Sequence, residues 1–433
     1  MIRLYDFDEV KPEEILNRDI RAEADVEATV DAIIADVRAR GDAALLDYAA
    51  KFDHAQLTSV QVTQAEIDEA FSELEASDPE FITTLKMAAS NIRHFHEQQL
   101  HKNFVLNDRP GMVLGQKYTP IQRAGVYVPG GTAAYPSTVL MDVIPAKVAG
   151  VQQIVMTTPA GKDGKVNAGI LAAAVIAGID CIFKTGGAQA VAALAYGTES
   201  VPAVDKIVGP GNIYVATAKR KVFGKVGIDM IAGPSEILVL ADGTCNPAWV
   251  AADLLSQAEH DKLATPVLVT DSWDLAKAVQ AELEVQIPQL PRAAIARASV
   301  DTNGKIIVTD DMKKAIDAVN IIAPEHLEIC VDDPFAVLND IQNAGSIFLG
   351  KNVPEALGDY FAGPNHTLPT SGTARFSSPL GVDDFVKKSS FIYYTREALG
   401  EVQARIANFA EHEGLHAHAK SVTIRFEDEQ KGE

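Results

Sequence analysis

A carboxylate and an imidazole stand side by side in the run Ala323-Pro-Glu-His-Leu327. Glu325 and His326 precede a short apolar run that predicts a buried strand, whose end would present both side chains. Such a pair can supply two general bases near neutral pH. It is therefore a candidate for acid–base chemistry, although a capping or structural role would use the same residues.

A metal site is the second kind of chemistry that the sequence offers. In a helix predicted over 247–260, Gln257 and His260 are three residues apart and share one face. Further carboxylate and imidazole side chains follow late in the chain, at Asp359, His366, Glu411, His412, Glu413, His416 and His418. Such ligands suit Zn²⁺ or a similar divalent ion. A scatter of solvated surface histidines would give the same pattern.

Glycine-rich turns follow three predicted strands, at Pro129-Gly-Gly131, Thr185-Gly-Gly-Ala-Gln189 and Gly209-Pro-Gly-Asn212. Each leads into a predicted helix, whose free N–H groups and positive dipole end suit an anion such as a pyrophosphate. The last turn imitates a dinucleotide fingerprint, but Tyr214 stands where the third glycine would be. A conformational role is the better explanation of any one turn, whereas three in one module make a nucleotide site about as plausible as a conformational role.

The elements that position these residues are predicted to be alternating strands and helices. After residue 125, short β-branched runs alternate with alanine-rich amphipathic stretches, which is typical of parallel sheets covered by helices. We therefore predict an α/β fold with one βα module over 125–235 and a second over 236–380. Ligands of such sheets bind beyond the carboxyl ends of the strands, so we expect the chemistry there.

Both ends of the chain are predicted to be mainly helical. Residues 1–124 form a helical segment that we expect to pack with the second module. Residues 381–433 form a small helical tail with an edge-like strand at 422–426. The tail is too short for a core of its own, so we expect it to pack on another surface, such as a second copy of the chain.

Composition excludes several classes of function. The chain has 433 residues, 47% of them hydrophobic and 22% charged, which is the balance of a globular protein of two or three domains. Its net charge of −21 would repel nucleic acid and anionic lipid. The first residues do not resemble a signal peptide, and no apolar run reaches the length of a membrane span. Three widely spaced cysteines argue against a disulfide framework and favour a reducing cytoplasm.

The motifs above belong to a longer ordered set. The set comprises Gly125-Val-Tyr-Val-Pro-Gly-Gly131, Gly186-Gly-Ala-Gln-Ala190, Gly209-Pro-Gly-Asn212, Ala232-Gly-Pro-Ser-Glu236, Asp253-Leu-Leu-Ser-Gln-Ala-Glu-His260, Ala323-Pro-Glu-His-Leu327 and Gly363-Pro-Asn-His-Thr-Leu-Pro369. In this order the set resembles the histidinol dehydrogenase family, and the resemblance covers nearly the whole chain.

That resemblance implies a reaction and its cofactors. The reaction is the four-electron oxidation of L-histidinol to L-histidine through bound L-histidinaldehyde, the last steps of histidine biosynthesis. Two NAD⁺ are reduced in each turnover, and one Zn²⁺ is held by each subunit of a cytoplasmic homodimer with shared active sites. The implied fold has two Rossmann-like modules without the standard glycine fingerprint, and a C-terminal dimerisation tail.

Residue roles follow from the matching motifs. Glu325 and His326 would be the catalytic bases. The Zn²⁺ ligands would be Gln257, His260, Asp359 and His418. The family takes the last of these four from the partner subunit. The other substrate-binding residues would be Ser235, His326, His366 and Glu413, and the residues lining the NAD⁺ site would be Tyr127, Gln189 and Asn212.

Two other functions stay open at this point. A paralogue with the same zinc and NAD⁺ machinery could act on another small alcohol, for instance a sulfonated diol. Retention of Glu413 and His418 favours an amino alcohol that carries an imidazole. A metal-binding scaffold without catalysis is the other possibility, but nothing structural requires both Glu325 and His326.

Overall fold

A computed structural model describes residues 1–11, 15, 24–130 and 134–429. Gly131, in the first predicted glycine-rich turn, lies outside the described residues. Within these ranges, no helix combines the length and the apolar composition of a bilayer-spanning segment. The α-helices found there are, in chain order, α1 (Ala24–Arg40), α2 (Asp42–Tyr48), α3 (Gln64–Ser77), α4 (Pro79–Glu97), α5 (Pro136–Ala149), α6 (Ala168–Ala177), α7 (Gly187–Tyr196), α8 (Ile213–Val222), α9 (Pro247–Ala258), α10 (Trp273–Gln286), α11 (Ala293–Thr302), α12 (Met312–Ile322), α13 (Pro334–Leu338), α14 (Glu355–Tyr360), α15 (Arg396–His412) and α16 (His416–Thr423).

Strands of the described residues form two parallel sheets and one antiparallel sheet. In chain order the strands are β1 (Arg3–Asp6), β2 (Phe104–Leu106), β3 (Met112–Pro120), β4 (Arg123–Tyr127), β5 (Gln153–Thr158), β6 (Cys181–Lys184), β7 (Lys206–Val208), β8 (Gly227–Ile228), β9 (Glu236–Ala241), β10 (Thr265–Thr270), β11 (Lys305–Val308), β12 (His326–Cys330), β13 (Ser346–Leu349) and β14 (Val386–Tyr394). The alternation with helices confirms the predicted α/β class.

The first parallel sheet has the strand order β6-β5-β4-β7-β8. Its central strand, β4, pairs with β5 on one side and with β7 on the other. The chain therefore builds outward from β4 to β6, returns to the centre, and builds outward again through β7 and β8. Such a reversal, as in Rossmann folds, leaves a crevice beyond the carboxyl ends of the two central strands.

The second parallel sheet repeats this arrangement in the order β1-β11-β10-β9-β12-β13. Its reversal lies between β9 and β12, which pair directly. Side chains of β9 alternate between the two faces: Ile237 and Val239 belong to one core, and Leu238 and Leu240 to the other. Both faces are thus covered, as the apolar sequence of the strand requires.

The N-terminal helices pack differently from our expectation. The buried face of α1, with Val30, Ile33 and Val37, joins the core of the first module. There α1 contacts α7 and α8, while α3 contacts α6 and α4 contacts α5. Of the described N-terminal residues, those of β1, at the edge beside β11, together with Phe7, Val10 and Ile15, pack with the second module. The reason is that residues 188–195 of α7 are buried on all sides. One side of α7 packs on the sheet, and the opposite side needs an apolar partner, which α1 provides.

A second compact unit consists of His101–Pro120 and Val386–Glu433. In it β3 pairs antiparallel with β14 on one side and with β2 on the other. Helices α15 and α16 contact each other around three buried alanines, Ala407, Ala410 and Ala419. This core is very small, in agreement with a tail that needs a further surface.

Two predictions for the tail were wrong. The nine residues of β14 form a strand inside the segment 381–433 that we described as a helical tail, because their β-branched and aromatic side chains suit pairing with β3. Conversely, residues 422–426 are not an edge strand: they end α16 and continue as the 3-10 helix Ile424–Glu429. The Ile424 N–H donates to the Lys420 carbonyl, so the backbone is satisfied without a partner strand.

Candidate active site

The carboxyl edge of the first sheet gathers the residues predicted to line the NAD⁺ site. Tyr127 is the last residue of β4, and Asn212 lies in the turn after the neighbouring strand β7. Gln189 is in the first turn of α7, which follows β6. The three therefore occupy the edge where a parallel sheet with this strand order binds ligands.

Close contacts between the turns explain two of their glycines. Gly209 has φ of +115°, and a Cβ there would lie 2.1 Å from the carbonyl oxygen of Tyr127. A Cβ on Gly130 would lie 2.6 Å from Cγ of Pro159. Any side chain would force these turns apart. The Tyr127 hydroxyl accepts a 3.2 Å hydrogen bond from the Gly187 N–H, which ties in the turn after β6.

Two of these polar side chains are placed by the protein itself, one by hydrogen bonds and one by burial. Asn212 Oδ1 accepts hydrogen bonds from the N–H groups of Tyr214 and Val215 and so caps α8. Gln189 is buried within the first module. The edge is therefore ordered by the protein alone, and the contact of these residues with NAD⁺ stays a prediction.

The predicted bases lie at the amino edge of the second sheet. Glu325 directly precedes β12 and His326 begins it, beside Glu236 at the start of β9. The Glu236 N–H donates a 2.8 Å hydrogen bond to Glu325 Oε2, and His326 Nδ1 lies 2.9 Å from the Glu236 carbonyl oxygen. One backbone residue thus positions both bases.

Our expectation of chemistry at carboxyl ends is therefore wrong for the second module. The reason is a loop that is distant in sequence and forms a wall at the amino edge. In that loop, the Ser371 N–H donates to Glu236 Oε1 at 2.9 Å, and Thr370 Oγ1 accepts from the Gly233 N–H at 2.6 Å. Half-buried Ser235 stands between these two contacts, at the edge itself.

The tautomer of His326 follows from its contacts. A carbonyl oxygen can only accept, so Nδ1 carries the proton in the bond to Glu236. Nε2 then faces two carboxylates, 3.4 Å from Asp359 Oδ1 and 3.8 Å from Glu355 Oε1. In the neutral ring Nε2 is thus the atom able to accept a proton.

The pKa values of the buried ionisable groups in this cluster are shifted in different directions. Burial raises the pKa of Glu325 to about 8, although the charge of His326 opposes the rise. Burial would also lower the pKa of His326, but the charges of Glu325, Asp359 and Glu355 outweigh it and raise that pKa to about 10. Burial would raise the pKa of Asp359, but the hydrogen bond and the charge of His326 outweigh it and hold that pKa below the usual range.

Gln257 and His260 approach the same cluster from the end of α9. The helix ends at Ala258, so His260 lies in the following turn and not on the helical face that we predicted. Its N–H donates to the Gln257 carbonyl at 3.1 Å, which keeps the two residues together. Burial lowers the pKa of His260, and the charges of Asp359 and His326 act on it as well, so it is a neutral imidazole near them.

A metal-binding geometry is present in this cluster. Among the described residues, ligand atoms of His326, Glu355 and Asp359 lie within 4.8 Å of one another. Both amide atoms of the buried Gln257 lack a hydrogen-bond partner there, and so does Glu355 Oε1. Buried polar atoms without a hydrogen-bond partner lower the stability of the fold unless a ligand binds to them. The residues therefore fit a divalent cation held by oxygen and imidazole ligands.

His366 is fixed by the loop on which it lies. Its Nδ1 lies 3.0 Å from the Asp359 carbonyl oxygen, and its Nε2 lies 3.5 Å from the hydroxyl of Thr138 on α5. Burial lowers the pKa of His366, so the ring is neutral at pH 7. Next to it, the Thr367 hydroxyl donates to the buried Asp142 of α5 at 2.8 Å. Helix α5 therefore sets where His366 stands.

Glu413 and His418 belong to the second compact unit. Glu413 caps the carboxyl end of α15, and His418 lies in the first turn of α16. Both side chains are exposed. The other predicted site residues all lie in the first compact unit.

Glu355 is the residue near the bases that our sequence analysis missed. It begins α14 four residues before Asp359, so both lie on one face of that helix. Ser256 on α9 donates a 2.8 Å hydrogen bond to Glu355 Oε2. The spacing Glu-x-x-x-Asp was visible in the sequence, but the burial that distinguishes this glutamate from a surface one was not.

A buried ion pair supports the turn after β7. Lys219 pairs with Asp229, and both side chains are almost fully buried. Lys219 Nζ also donates to the Gly209 carbonyl at 2.9 Å, and the Gly209 N–H donates to Asp229 Oδ2 at 2.8 Å. The pair thus holds both backbone groups of the glycine that touches Tyr127.

Removing the lysine charge should destabilise this module strongly. Lys219→Met leaves Asp229 buried and unpaired, so we expect the free energy of unfolding in urea at pH 7 to fall by ~3–5 kcal/mol. Lys221→Met on the same helix is the control, since Lys221 pairs with the exposed Asp31. That change should cost less than about 1 kcal/mol. Similar losses in the two variants would contradict a structural role for the buried pair.

Comparison with known proteins agrees with this geometry. Residues 16–426 match the family model described as histidinol dehydrogenase. The chain is 54% identical over 421 residues to a histidinol dehydrogenase of Listeria monocytogenes, with 97% of each chain covered. The chain belongs to the histidinol dehydrogenase family. A histidinol dehydrogenase of Bacillus subtilis is 57% identical over 397 residues, covering 92% of each chain.

The fold of a histidinol dehydrogenase from Elizabethkingia anophelis matches as well. Its crystal structure has a TM-score of 0.93 and 38% sequence identity, with 99% of each chain covered. The resemblance read from the seven motifs is thus confirmed, and so is the arrangement of parallel βα modules. As a member of the histidinol dehydrogenase family, the chain is an enzyme and an oxidoreductase.

Proposed function

We propose that this chain oxidises L-histidinol to L-histidine in two steps, through L-histidinaldehyde that stays bound, as the last steps of histidine biosynthesis. The observation that carries the proposal is the pair of bases held by one residue. Glu236 bonds Glu325 through its N–H and His326 through its carbonyl oxygen. Two oxidations at one carbon need a base for each proton and a base for water, and this pair supplies both.

His326 takes the proton in both oxidations. With its Nδ1–H bonded to Glu236, its Nε2 is directed to the buried centre of the cluster. In the first step Nε2 accepts the alcohol proton while a hydride leaves the same carbon. In the second it accepts the proton of the aldehyde hydrate as the second hydride leaves. NAD⁺, when bound, accepts each hydride, and two are therefore reduced.

Glu325 acts between the two oxidations. Water must add to the aldehyde carbonyl to form the hydrate, and a carboxylate can take a proton from that water. Glu325 is almost fully buried beside His326, with Oε2 and Nδ1 3.6 Å apart. This position supports a role that begins only when the aldehyde has formed. The aldehyde stays bound because release would expose a reactive carbonyl.

A cation would complete the substrate site. We propose Zn²⁺ held by Gln257, His260, Asp359 and His418 of the partner subunit. The unpartnered amide of Gln257 and the neutral ring of His260 support the first two ligands. When bound, Zn²⁺ would act as a Lewis acid for nitrogen lone pairs of the substrate, and its positive charge would offset the carboxylates around His326. Ser235, His366 and Glu413 would contact the substrate beside it.

Chelation should stop turnover and leave the fold intact. The proposed ligands come from distant segments, and the two parallel sheets have cores of their own. We therefore expect a strong chelator to abolish NADH formation, with the far-ultraviolet circular dichroism unchanged and unfolding still cooperative. Zn²⁺ added back should restore the rate. Loss of secondary structure on chelation would instead identify a structural metal.

The NAD⁺ site is proposed at the carboxyl edge of the first sheet, with Tyr127, Gln189 and Asn212 around it. Support comes from the strand reversal between β4 and β7 and from the close approach of Gly209 to Tyr127. Gly130 and Gly209 in these turns carry no side chain, and a Cβ at either position would clash with a neighbouring turn. A pyrophosphate approaches backbone N–H groups most closely where no side chain intervenes.

A homodimer with shared sites is the proposed assembly. Among its described residues, the second compact unit has one small core cluster of three alanines, yet it exposes large apolar side chains. On its helices and β14 these include Ile392, Phe409 and Leu415. Exposed apolar groups of this size favour association. The unit also carries Glu413 and His418, so association would bring both to the site of a second copy.

A reducing compartment, the cytoplasm, is proposed for the enzyme. All three cysteines, Cys181, Cys245 and Cys330, are free thiols. Burial raises the pKa of Cys181 and of Cys245 to about 11, so neither is a thiolate at neutral pH. Free thiols that take no part in disulfides suit a compartment in which disulfides rarely form.

Counting reducing equivalents tests the function directly. Purified enzyme with limiting L-histidinol and excess NAD⁺ should form two NADH for each L-histidinol and release L-histidine. A single NADH with release of the aldehyde would contradict the two-step proposal. No turnover with L-histidinol, but turnover with a sulfonated diol, would favour the paralogue reaction instead.

A further inference from the structure

Helix α5 contains a proline in its interior. Pro145 lies well inside the helix, which runs from Pro136 to Ala149. Proline has no N–H, so it cannot donate to the carbonyl four residues earlier, which is that of Met141. Both Met141 and Pro145 are buried, and a buried carbonyl oxygen needs a partner. The sequence of α5 therefore leaves an acceptor inside the protein for a group from another segment.

The buried side chain of Asn365, from a distant loop, takes this acceptor. Its Nδ2 donates a 2.6 Å hydrogen bond to the Met141 carbonyl oxygen. Its Oδ1 accepts a 2.8 Å hydrogen bond from the Thr367 N–H. Because an N–H can only donate, the second bond fixes which end of the amide faces α5. His366 stands between the two residues that this amide ties together, so the amide docks the histidine on the helix.

Two further contacts hold the same loop on α5. The Thr367 hydroxyl donates to Asp142 at 2.8 Å, and Nε2 of His366 lies 3.5 Å from the Thr138 hydroxyl. Thr138 and Asp142 are four residues apart and so share one face of α5. Hydroxyls rotate, whereas the planar amide of Asn365 is bonded at both ends. Asn365 is therefore the contact that restricts the loop most.

We propose that Asn365 is the positioning residue for His366 and that Pro145 provides its docking point by leaving the Met141 carbonyl free. The inference rests on the proposed contact of His366 with L-histidinol, and it adds the residues that place the ring. Both ends of the Asn365 amide are bonded within the protein, and Pro145 has no polar side-chain group. Both residues thus act through His366.

Pro145→Ala is the sharpest test. Alanine restores an N–H that donates to the Met141 carbonyl along the helix and so competes with Asn365. Alanine is also much more favourable than proline inside a helix, so the midpoint of urea unfolding should not fall. The KM for L-histidinol should nevertheless rise about threefold or more, because the bond from Asn365 is weakened. A merely structural role predicts no rise in KM for a variant that is at least as stable.

Two substitutions of Asn365 test the same bond from the other side. Asn365→Asp keeps the size and the acceptor for the Thr367 N–H, but its carboxylate cannot donate to Met141. Asn365→Ala loses both bonds. In each variant the KM for L-histidinol should rise about tenfold or more. The kcat should stay within about threefold of wild type, since the bases are held by Glu236 and His366 contributes to substrate binding.

A matched control and a binding measurement complete the test. Gln286 of α10 also donates an amide hydrogen bond to a helix carbonyl, that of Ala248 on α9, at 2.9 Å. Gln286→Ala should leave the KM within about twofold of wild type. Calorimetry of L-histidinol with the Zn²⁺-loaded enzyme, without NAD⁺, should give a Kd that rises with the KM in the Pro145 and Asn365 variants. Unchanged KM and Kd in all three, or a fall in kcat alone, would overturn the positioning role.

Failure of this inference differs from failure of the proposed function. If the wild-type chain oxidises L-histidinol and the three variants bind it equally well, the positioning role fails and the reaction stands. A crystal structure of Pro145→Ala reports on the docking without turnover. If the wild-type chain forms no NADH from L-histidinol, but this structure shows Asn365 and His366 displaced from α5, the proposed reaction fails and the docking stands.

Discussion

Glu325→Gln should separate the two oxidations. The variant keeps the shape of the side chain and its bond from the Glu236 N–H, but it loses the base. Because alcohol oxidation needs no water, the first hydride transfer should proceed at nearly the wild-type rate. The overall reaction should slow by roughly 10²–10⁴-fold, which is the usual cost of losing a positioned base. In a single turnover, about one NADH per site should form rapidly before the reaction stalls.

His326→Asn is the matched comparison. His326 serves both oxidations, so its removal should suppress the first burst of NADH as well. Histidinaldehyde supplied as substrate would bypass the alcohol step, but it should restore neither variant fully, because its oxidation uses both residues. Stopped-flow absorbance of NADH measures the burst in each case. An equal loss of the burst in the two variants would make Glu325 a positioning partner of His326 and not a second base.

The pH dependence should separate the two steps in the same way. Burial raises the pKa of Glu325 to about 8. A carboxylate is a base only when ionised, so the wild-type rate of aldehyde oxidation should rise with pH through this value. Below it the rate should fall about tenfold for each pH unit. In Glu325→Gln the residual aldehyde oxidation should lose the rise near pH 8 and keep only the pH dependence of His326, whose pKa is raised to about 10. A profile identical to wild type would count against Glu325 as the group responsible.

Mixing two inactive chains should restore activity. His260→Ala and His418→Ala each remove a proposed Zn²⁺ ligand, so each homodimer should be nearly inactive. If His418 serves the site of the partner subunit, a heterodimer has one site with both lesions and one with neither. Random reassociation gives about half heterodimers, so about a quarter of the wild-type activity should return. NADH formation after co-refolding, or after co-expression with two purification tags, measures this.

A second mixture provides the control. One chain carries His260→Ala and the other carries Glu325→Gln. Because His260 and Glu325 lie in the same compact unit, each chain damages its own site. Their heterodimer has no intact site and should stay inactive. If purified heterodimers of the first pair were equally inactive, His418 would not be shared between subunits.

Local patterns in the sequence were enough to predict the α/β class and most of the residues near the bases. Hydrophobic periodicity depends only on neighbouring residues, so the strands from β4 to β13 except β8, and the helices from α5 to α9, could be anticipated. The chemical types also remain visible without a fold: Glu325, His326 and Asp359 were recognised from their motifs.

Burial and long-range contacts were beyond such patterns. Glu355 looks like a surface acid in the sequence, and only packing makes it a buried carboxyl with an unpartnered oxygen. The edge of the second sheet was also predicted wrongly. His326 stands at an amino end because it begins β12, and a loop more than a hundred residues after Glu236 forms the wall there.

At both ends of the chain, too, local patterns predicted some features and long-range contacts decided the others. The strand β14 forms because β3, which is far away in the sequence, offers it unpaired backbone groups, and no periodicity within 386–394 reports that partner. The N-terminal helices were assigned to the wrong module for a similar reason: their apolar faces were evident, but the surface that buries them is α7 and α8. Side-chain type and local spacing are properties of the sequence, whereas the choice among possible partners depends on the free energy of the whole packed chain.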